Sequence, residues 1–551
     1  MLRRFVGVKK TPSFDAILFC ETGMMAAGVY AQWFSLFHGV GAGAFFLYLI
    51  LTILSVLFLR NAGEVTGSFR ERMKKIPAKG KILVCVVIAF YAYGTARGYI
   101  HTDTTLYHAQ SIHWIESFGS VKGLALLHNR FGYNSASFAL SALFSFSWLT
   151  GRSFHAVAGF CALLLMLECL KVFRAFGKAS SVRAADFVRA AGIYYLLNIY
   201  DEMVSPASDY FMVCTAFYLL IRALETEEDD VFSFGILGIL TVWCATVKLS
   251  AAPLALLLCV PVCFLFREKQ LPVARTFLSF AGSGLFIGLP FLIRNVLLTG
   301  YLLYPYPAID LFSVPWKIDP GYALSDQREI MVWGRGYTDV YRYDAPLSEW
   351  AGDWFFSQSR IDQAALLLTI AGAGLFLGYL LYRLFVFAGK KDSRMTHPGV
   401  TPMLSGKEIF LSAVVLAGTL FWFRAAPLMR YGCVYVYTAA ALTAAFLCRL
   451  FGRHQKAVFC AGLLFFLLGK GILFTGECIR TFPQDGSAFL LLQKDYVDAP
   501  CVSYEIDGET FYHANGAGTG YVAFPSSPFP ADIRLLGEDL SDGFLPGPVS
   551  E

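Results

Sequence analysis

Apolar runs close to the ~20 residues needed to cross ~30 Å of hydrocarbon recur from residue 14 to residue 474, and no other feature restricts the possible fold as much. With 56% of its 551 residues hydrophobic and only 15% charged, the chain is excluded from the ordinary soluble classes and reads as a polytopic membrane protein. The formal charge of +5 is small for this length, and no basic stripe interleaved with aromatics offers a track for nucleic acid. Most of the 13 cysteines, among them Cys85, Cys161, Cys259 and Cys263, sit inside apolar runs, where a thiol behaves as a small hydrophobe. The basic start, MLRRFVGVKKTPSF, leads into a run containing Glu21 without a small-residue cleavage site, which predicts an uncleaved first helix.

Basic loops face the cytoplasm, and that rule orders the segments. Helices over residues 14–37 and 43–59 are followed by a loop carrying Arg60, Arg70, Arg72, Lys74, Lys75, Lys79 and Lys81, which is expected inside; a helix over 82–97 then delivers residues 98–135 outside. Arg267, Lys269 and Arg275, then Lys390, Lys391 and Arg394, then Arg449, Arg453 and Lys456 mark further inner loops. They put outside the turn at 201–209, the junction at Lys248, the long loop 300–360, the turn at 424–431 and the tail. Between outer Ser135 and inner Lys171 the crossings must be odd in number, so the shorter apolar stretch, 138–149 with Ser141, Ser145 and Ser147, reads as shallow or re-entrant. The expected fold is an all-α bundle over residues 1–475 with about thirteen crossings, N-terminus inside and C-terminus outside. Residues 476–551 are polar, and the turn signals Asp507-Gly508, Asn515-Gly516 and Asp542-Gly543 predict a small β-rich cap. Cys478 and Cys501 are its cysteines, and both a bridge between them and two free thiols remain open. No internal repeat points to an inverted-repeat transporter.

Lipid satisfies neither free backbone nor charge, so the polar stretch HTDTTLYHAQSIHWIESFGSVKGLALLHNRFGYNS, residues 101–135, belongs at a water interface or over a cavity. Asp103 opens a segment, 104–118, that reads as an interfacial helix; it serves either as helix N-cap or as a general base taking the proton of an acceptor hydroxyl. Cations at the outer boundary are the anomaly, because positive charge is drawn inward. Lys248, Arg294, Arg424 and Arg430 would suit a carrier lipid's phosphate, or would snorkel to headgroups or pair with Asp201 or Asp209. Within the loop, Tyr107, His108, Arg130 and Asn134 are candidates for holding sugar or phosphate, while His108, His113 and His128 equally suit structural roles. Asp209 begins a helix, as N-cap, as cation partner, as orienter of an acceptor, or as ligand with Asp103 of a divalent metal, the one cofactor these acids suggest; no metal motif decides it. Tyr301, Tyr304 and Tyr306, with Trp316, form an aromatic interface belt or a stacking platform.

The phrases DTTLYH, HNRFGYNS, SPASD, TVKLS, IRNVLLTGYLLYP, APLMRYG, YVAFPSSPF and EDLSDGF, in this order, carry a resemblance to the GT-C glycosyltransferases, and more closely to a bacterial polytopic branch. The resemblance implies a multi-pass protein of a bacterial cytoplasmic membrane whose essential acid, here Asp103, lies in the first outer loop. Where many GT-C members have a second acid directly after the first, this chain has Thr104. The implied reaction moves a sugar, with inversion, from a polyprenyl-phosphate donor to a glycan, lipid or protein acceptor; Asp103 and Asp209 are the candidate catalytic acids, and Lys248, Arg294 and Arg430 the donor phosphate's partners. Two other readings compete. An O-antigen polymerase or ligase would depend on the arginines and not on Asp103. A transporter or flippase for the carrier-linked sugar would show helices broken at mid-bilayer with ionisable residues there.

Overall fold

Backbone polar groups in lipid must be bonded within their own segment, and the apolar runs accordingly fold as helices. The structure, a computed structural model, describes residues 15–58, 67, 71, 74, 76–178, 180–227, 230–267, 273–389, 404–481, 496 and 499–547. Its helices include α1 (Ala16–Phe34), α2 (Ala42–Phe58), α3 (Ala78–Ala96), α4 (Ala109–Ser117), α5 (Ala136–Leu143), α6 (Val157–Cys169), α7 (Ala184–Asn198), α8 (Ser208–Glu225) and α9 (Val231–Val247). They continue as α10 (Cys259–Arg267), α11 (Val273–Thr299), α12 (Pro320–Gly334), α13 (Leu347–Ser357), α14 (Arg360–Gly389), α15 (Gly406–Ala425), α16 (Met429–Arg449) and α17 (Gln455–Thr481). Among the described residues six helices, α3, α11, α14, α15, α16 and α17, are long and apolar enough to cross a membrane, which is compatible with an integral membrane protein. Arg60, Arg70, Arg72, Lys75, Lys269, Lys390, Lys391 and Arg394, on which part of the expected orientation rests, lie outside the described residues, as does the segment before residue 15.

Six is fewer than the thirteen crossings expected, because several apolar runs are broken or short. Lys248 has extended backbone (φ −155, ψ 131), so it ends α9, and a 3-10 run, Leu249–Leu258, follows before α10. Residues 138–149 divide into α5 and a single turn, Ser147–Thr150, parted by Phe146 at φ 52. At ~1.5 Å per residue α5 reaches only ~12 Å, well short of ~30 Å of hydrocarbon.

Of the six candidate spans α16 is the most buried, 72% where α14 is 11%. Small residues bring its neighbours close. A Cβ on Gly372 of α14 would meet Thr443 Oγ1 at 1.9 Å, and one on Gly418 of α15 would meet the Tyr435 ring at 2.3 Å. At one end of the bundle the charges are matched in full view: buried Arg189 of α7 bonds Glu168 (2.8 Å), Asp186 (3.0 Å) and Glu225 (2.7 Å).

The other end carries residues 98–135 and the tail. Strand β1 (Val502–Ile506) pairs antiparallel with β2 (Glu509–His513), and β3 (Ser526–Ser527) adds to β2 in parallel. The Asp507-Gly508 turn takes φ 49 and 89, the left-handed pair that a two-residue hairpin requires. Strands β4 (Ile533–Leu535) and β5 (Phe544–Pro546) form a second small antiparallel pair. Among the described residues the cap shares its core with the polar stretch and α11: Phe511, Ile533 and Phe544 pack with Trp114, Leu124, Phe131 and Leu298. Gln110 of α4 donates to the carbonyls of Gly520 (3.1 Å) and Ala523 (2.8 Å), pinning cap to helix. No disulfide joins Cys478 to Cys501. The cap is thus held by the burial of aromatics on α4 and not by a disulfide.

Candidate functional site

The segment that leaves α3 turns at His101, whose backbone N–H donates to Ser205 Oγ (2.8 Å) and whose ring Nδ1 accepts from the Asp103 N–H (3.1 Å). A π-helical turn, Thr104–His108, follows and runs directly into α4, so the interfacial helix expected over 104–118 is present with a widened first turn. Such turns re-aim side chains, and they recur at functional sites. Asp103 is itself helical (φ −61, ψ −23) and makes no capping hydrogen bond, which removes the N-cap role. Its carboxylate turns instead to Arg430 (Nη2–Oδ2 2.9 Å), Arg130 (Nη1–Oδ1 3.5 Å) and His101 (Nδ1–Oδ2 3.7 Å). Burial by itself would raise the carboxyl's pKa, but Arg430, with His101 and Arg130 behind it, outweighs burial and holds it below the usual range. His108 contributes to that only when protonated, and burial pulls its own pKa down to about 3.

Arg430 reaches Asp103 because the α15–α16 junction is clamped. Trp422 Nε1 donates to Leu428 O (2.8 Å) and Trp354 Nε1 to Pro427 O (2.8 Å), which fixes the direction in which α16 starts. Lys248, at the break after α9, donates to Asp209 Oδ1 (2.5 Å) and lies 4.0 Å from the Tyr431 ring centroid. Arg130 stacks over Trp333 of α12 at 4.9 Å. Between these groups lies a cavity of about 1160 Å³, its open mouth included. Its lining combines the charged groups Asp103, Arg130, Lys248 and Arg430 with the apolar rings of Phe138, Phe291, Phe421 and Trp422. Phe421 is 39% exposed.

Most of the residues singled out in the sequence meet here. Asp103, Tyr107, Arg130, Asn134, Lys248, Tyr304 and Arg430 all line the one cavity. Asn134 Nδ2 donates to Phe291 O (3.0 Å), while its buried Oδ1 has no partner. Others fall elsewhere. Asp209 lies behind Lys248 as its counter-ion; the helix starts before it and Ala207 is the cap residue, so cation partner is the role it takes. Arg294 does not line the cavity, although Phe291 and Asn295 on the same helix do: its guanidinium is 1% exposed, with Nε and Nη1 lacking partners. Tyr301 is fully buried and bonds Ile318 O (2.9 Å), so it is core and not a stacking platform; Tyr304 and Tyr306 do line the cavity. His108 is buried beneath Tyr107 against Phe138, and Arg424 is exposed.

The sequence reading missed Trp333, Tyr431 and the support behind Arg130. Asp326 of α12 accepts from Tyr133 Oη (2.6 Å) and Asn129 Nδ2 (3.0 Å), bracing the turn that carries Arg130. Its carboxyl pKa is raised by burial against those hydrogen bonds. Nothing read in the loop 300–360 pointed to this contact. Three cations, Arg130, Lys248 and Arg430, line the cavity with a single carboxylate, Asp103, so its wall is net cationic and suits an anion. A divalent ion between Asp103 and Asp209 does not fit this donor set, because each carboxylate is already met by a cation. Among the described residues no three His, Cys, Asp or Glu side chains converge as metal ligands.

Residues 1–437 match a family described as a domain of unknown function, DUF8201. No curated protein and no solved structure matches the chain.

Proposed function

We propose that this chain, which belongs to the DUF8201 family, is a membrane glycosyltransferase that moves a sugar from a polyprenyl-phosphate donor to a hydroxyl of a glycan, lipid or protein acceptor. The observation that carries the reading is the mixed lining of the cavity: three cations around one half-buried carboxylate, together with a group of apolar rings. A polyprenyl phosphate likewise joins an anionic head to a hydrocarbon tail. On this reading the site faces the outside of a bacterial cytoplasmic membrane, as the resemblance to GT-C enzymes implies.

The donor phosphate competes with Asp103 for Arg430, whose Nε has no partner in the resting site. Arg294 and Lys248 add positive charge close by, and a guanidinium grips phosphate oxygens bidentately. Asp103, released from the ion pair, takes the proton of the acceptor hydroxyl as that oxygen bonds to the anomeric carbon. The bond from that carbon to the phosphate oxygen breaks, and its electron pair leaves with the phosphate. A phosphate leaving group needs its charge stabilised and not a proton supplied, so one carboxylate suffices and Thr104 is no obstacle.

In lipid nanodiscs, Asp103→Asn is expected to lower sugar transfer by roughly a hundredfold or more while binding of polyprenyl phosphate is kept. Unchanged turnover rejects Asp103 as the base. Movement of the intact carrier-linked sugar across the bilayer, with no transfer by the wild type, would instead make the protein a flippase.

A further inference from the structure

The far end of α4 borders a second cleft, of about 1080 Å³, which shares no lining residue with the first. It lies between α4, the turn Ser147–Thr150 and the tail, and its walls include Glu116, Trp148, Arg152, Ser153, Tyr496 and Tyr521. Glu116 is 8% exposed and oriented from two sides: Ser153 Oγ donates to Oε1 (2.9 Å) and the Tyr521 hydroxyl to Oε2. Tyr521 is held flat by His113, their rings 4.2 Å apart and 10° from parallel, and His113 in turn stacks on Phe524 at 3.8 Å. Trp148 stands 38% exposed at the mouth, braced by Phe46 at 5.4 Å.

Fixed aromatic faces beside a fixed carboxyl and hydroxyls are what a sugar ring needs: its axial C–H face lies on an aromatic ring, and its hydroxyls donate to the carboxyl and to the serine oxygen and accept from arginine. Burial raises the Glu116 carboxyl's pKa, and that works against a cationic ligand and favours a neutral polyol. We propose that this cleft is a saccharide-binding site, with pyranose rings on Trp148 and Tyr521 and hydroxyls bonded to Glu116, Ser153 and Arg152. Asp103 and Glu116 lie at opposite ends of one helix, ~20 Å apart at ~1.5 Å per residue. A glycan seated in the cleft lies about one helix length from the first cavity. Its role as the acceptor rests on the transferase reading; the binding of sugar does not.

The test uses the full chain in nanodiscs and saturation-transfer NMR with three probes, maltose, cellobiose and N,N′-diacetylchitobiose. Transfer to the ring protons of at least one disaccharide is expected, with affinity falling roughly tenfold in Trp148→Ala and in Glu116→Gln and kept in Trp148→Phe. Asp103→Asn and Arg430→Ala are expected to leave this binding intact, so a failed transferase assay with retained sugar binding strikes the transferase reading alone. No saturation transfer to any of the three, equal affinity in Trp148→Ala, or loss only in the Asp103 and Arg430 variants overturns the second site.

Discussion

A general base locked against an arginine is a weak base, and Asp103 is so locked until something takes Arg430 away. This gives the pair a pH signature. The carboxylate must be charged to act, and Arg430 is the foremost cation lowering its pKa. Removing that cation raises the pKa, so in Arg430→Gln the acid limb of kcat/KM is expected to move to higher pH, by roughly one unit or ~1.4 kcal/mol. An acid limb that stays in place in Arg430→Gln would mean that Asp103 is not the titrating group. Arg294 calls for a different measurement. A buried guanidinium with unpartnered nitrogens is costly to the resting fold. Arg294→Met is therefore expected to leave the unfolding temperature equal or higher while weakening polyprenyl-phosphate binding by roughly tenfold. Lower stability with unchanged binding would make Arg294 structural. These single residues were legible in the sequence because charge is rare in so apolar a chain and each instance needs a reason. Tyr301 was not: its neighbours Tyr304 and Tyr306 share its chemistry, and only the turn after α11 decides which of the three faces inward.

Elements were legible where a local backbone need spoke for itself. The Asp507-Gly508 hairpin is such a case, since two positive φ angles in succession call for those residues. The shortness of α5 was likewise readable from its serines. The π turn before α4 was not, because it answers to tertiary demands: it must aim Asp103 at Arg430, more than three hundred residues away. Nor did the sequence tell that the cap shares its core with residues 101–135. Two glycines separate the consequences. Gly98 has φ +113, and a Cβ there would lie 2.1 Å from Asp201 O, so Gly98→Ala must displace the segment that delivers Asp103. Strain of ~1–3 kcal/mol is expected from that backbone region, with transfer activity lost along with it. Gly508 has φ +89 but an added Cβ would meet nothing within 4 Å. Gly508→Ala should cost ~1 kcal/mol locally and leave transfer unchanged. Equal activity loss in both variants would show that the hairpin itself touches the site.

The two ends of the molecule are built on different electrostatic terms, and this bears on how it fails in acid. At one end Arg189 is surrounded by carboxylates that match it. At the other end four histidines, His108 and His155 buried and His113 and His128 half-buried, are held as neutral rings: His108 and His128 are pulled down to about 3, His113 to about 4 and His155 to about 3, each by burial first. A histidine has a pKa of about 6.5 in an unfolded chain, so below that value the unfolded state binds protons that the folded state refuses. Folded stability from these groups is complete above pH ~6.5 and falls as pH drops, by ~1.4 kcal/mol per unit for each histidine, until the folded values are reached. All four sit around α4 and the cap, so the loss should appear first there and not in the apolar bundle. The expected outcome is a melting temperature that is flat above neutrality and declines steadily from pH 6.5 to 4.5, with amide exchange rising in 101–135 and 499–547 before it rises in α16. His128 shows whether the cause is right, because its buried Nε2 has no partner to lose. His128→Gln, which cannot protonate, should make that decline shallower by about one histidine's share; a slope identical to wild type would place the acid lability in other groups.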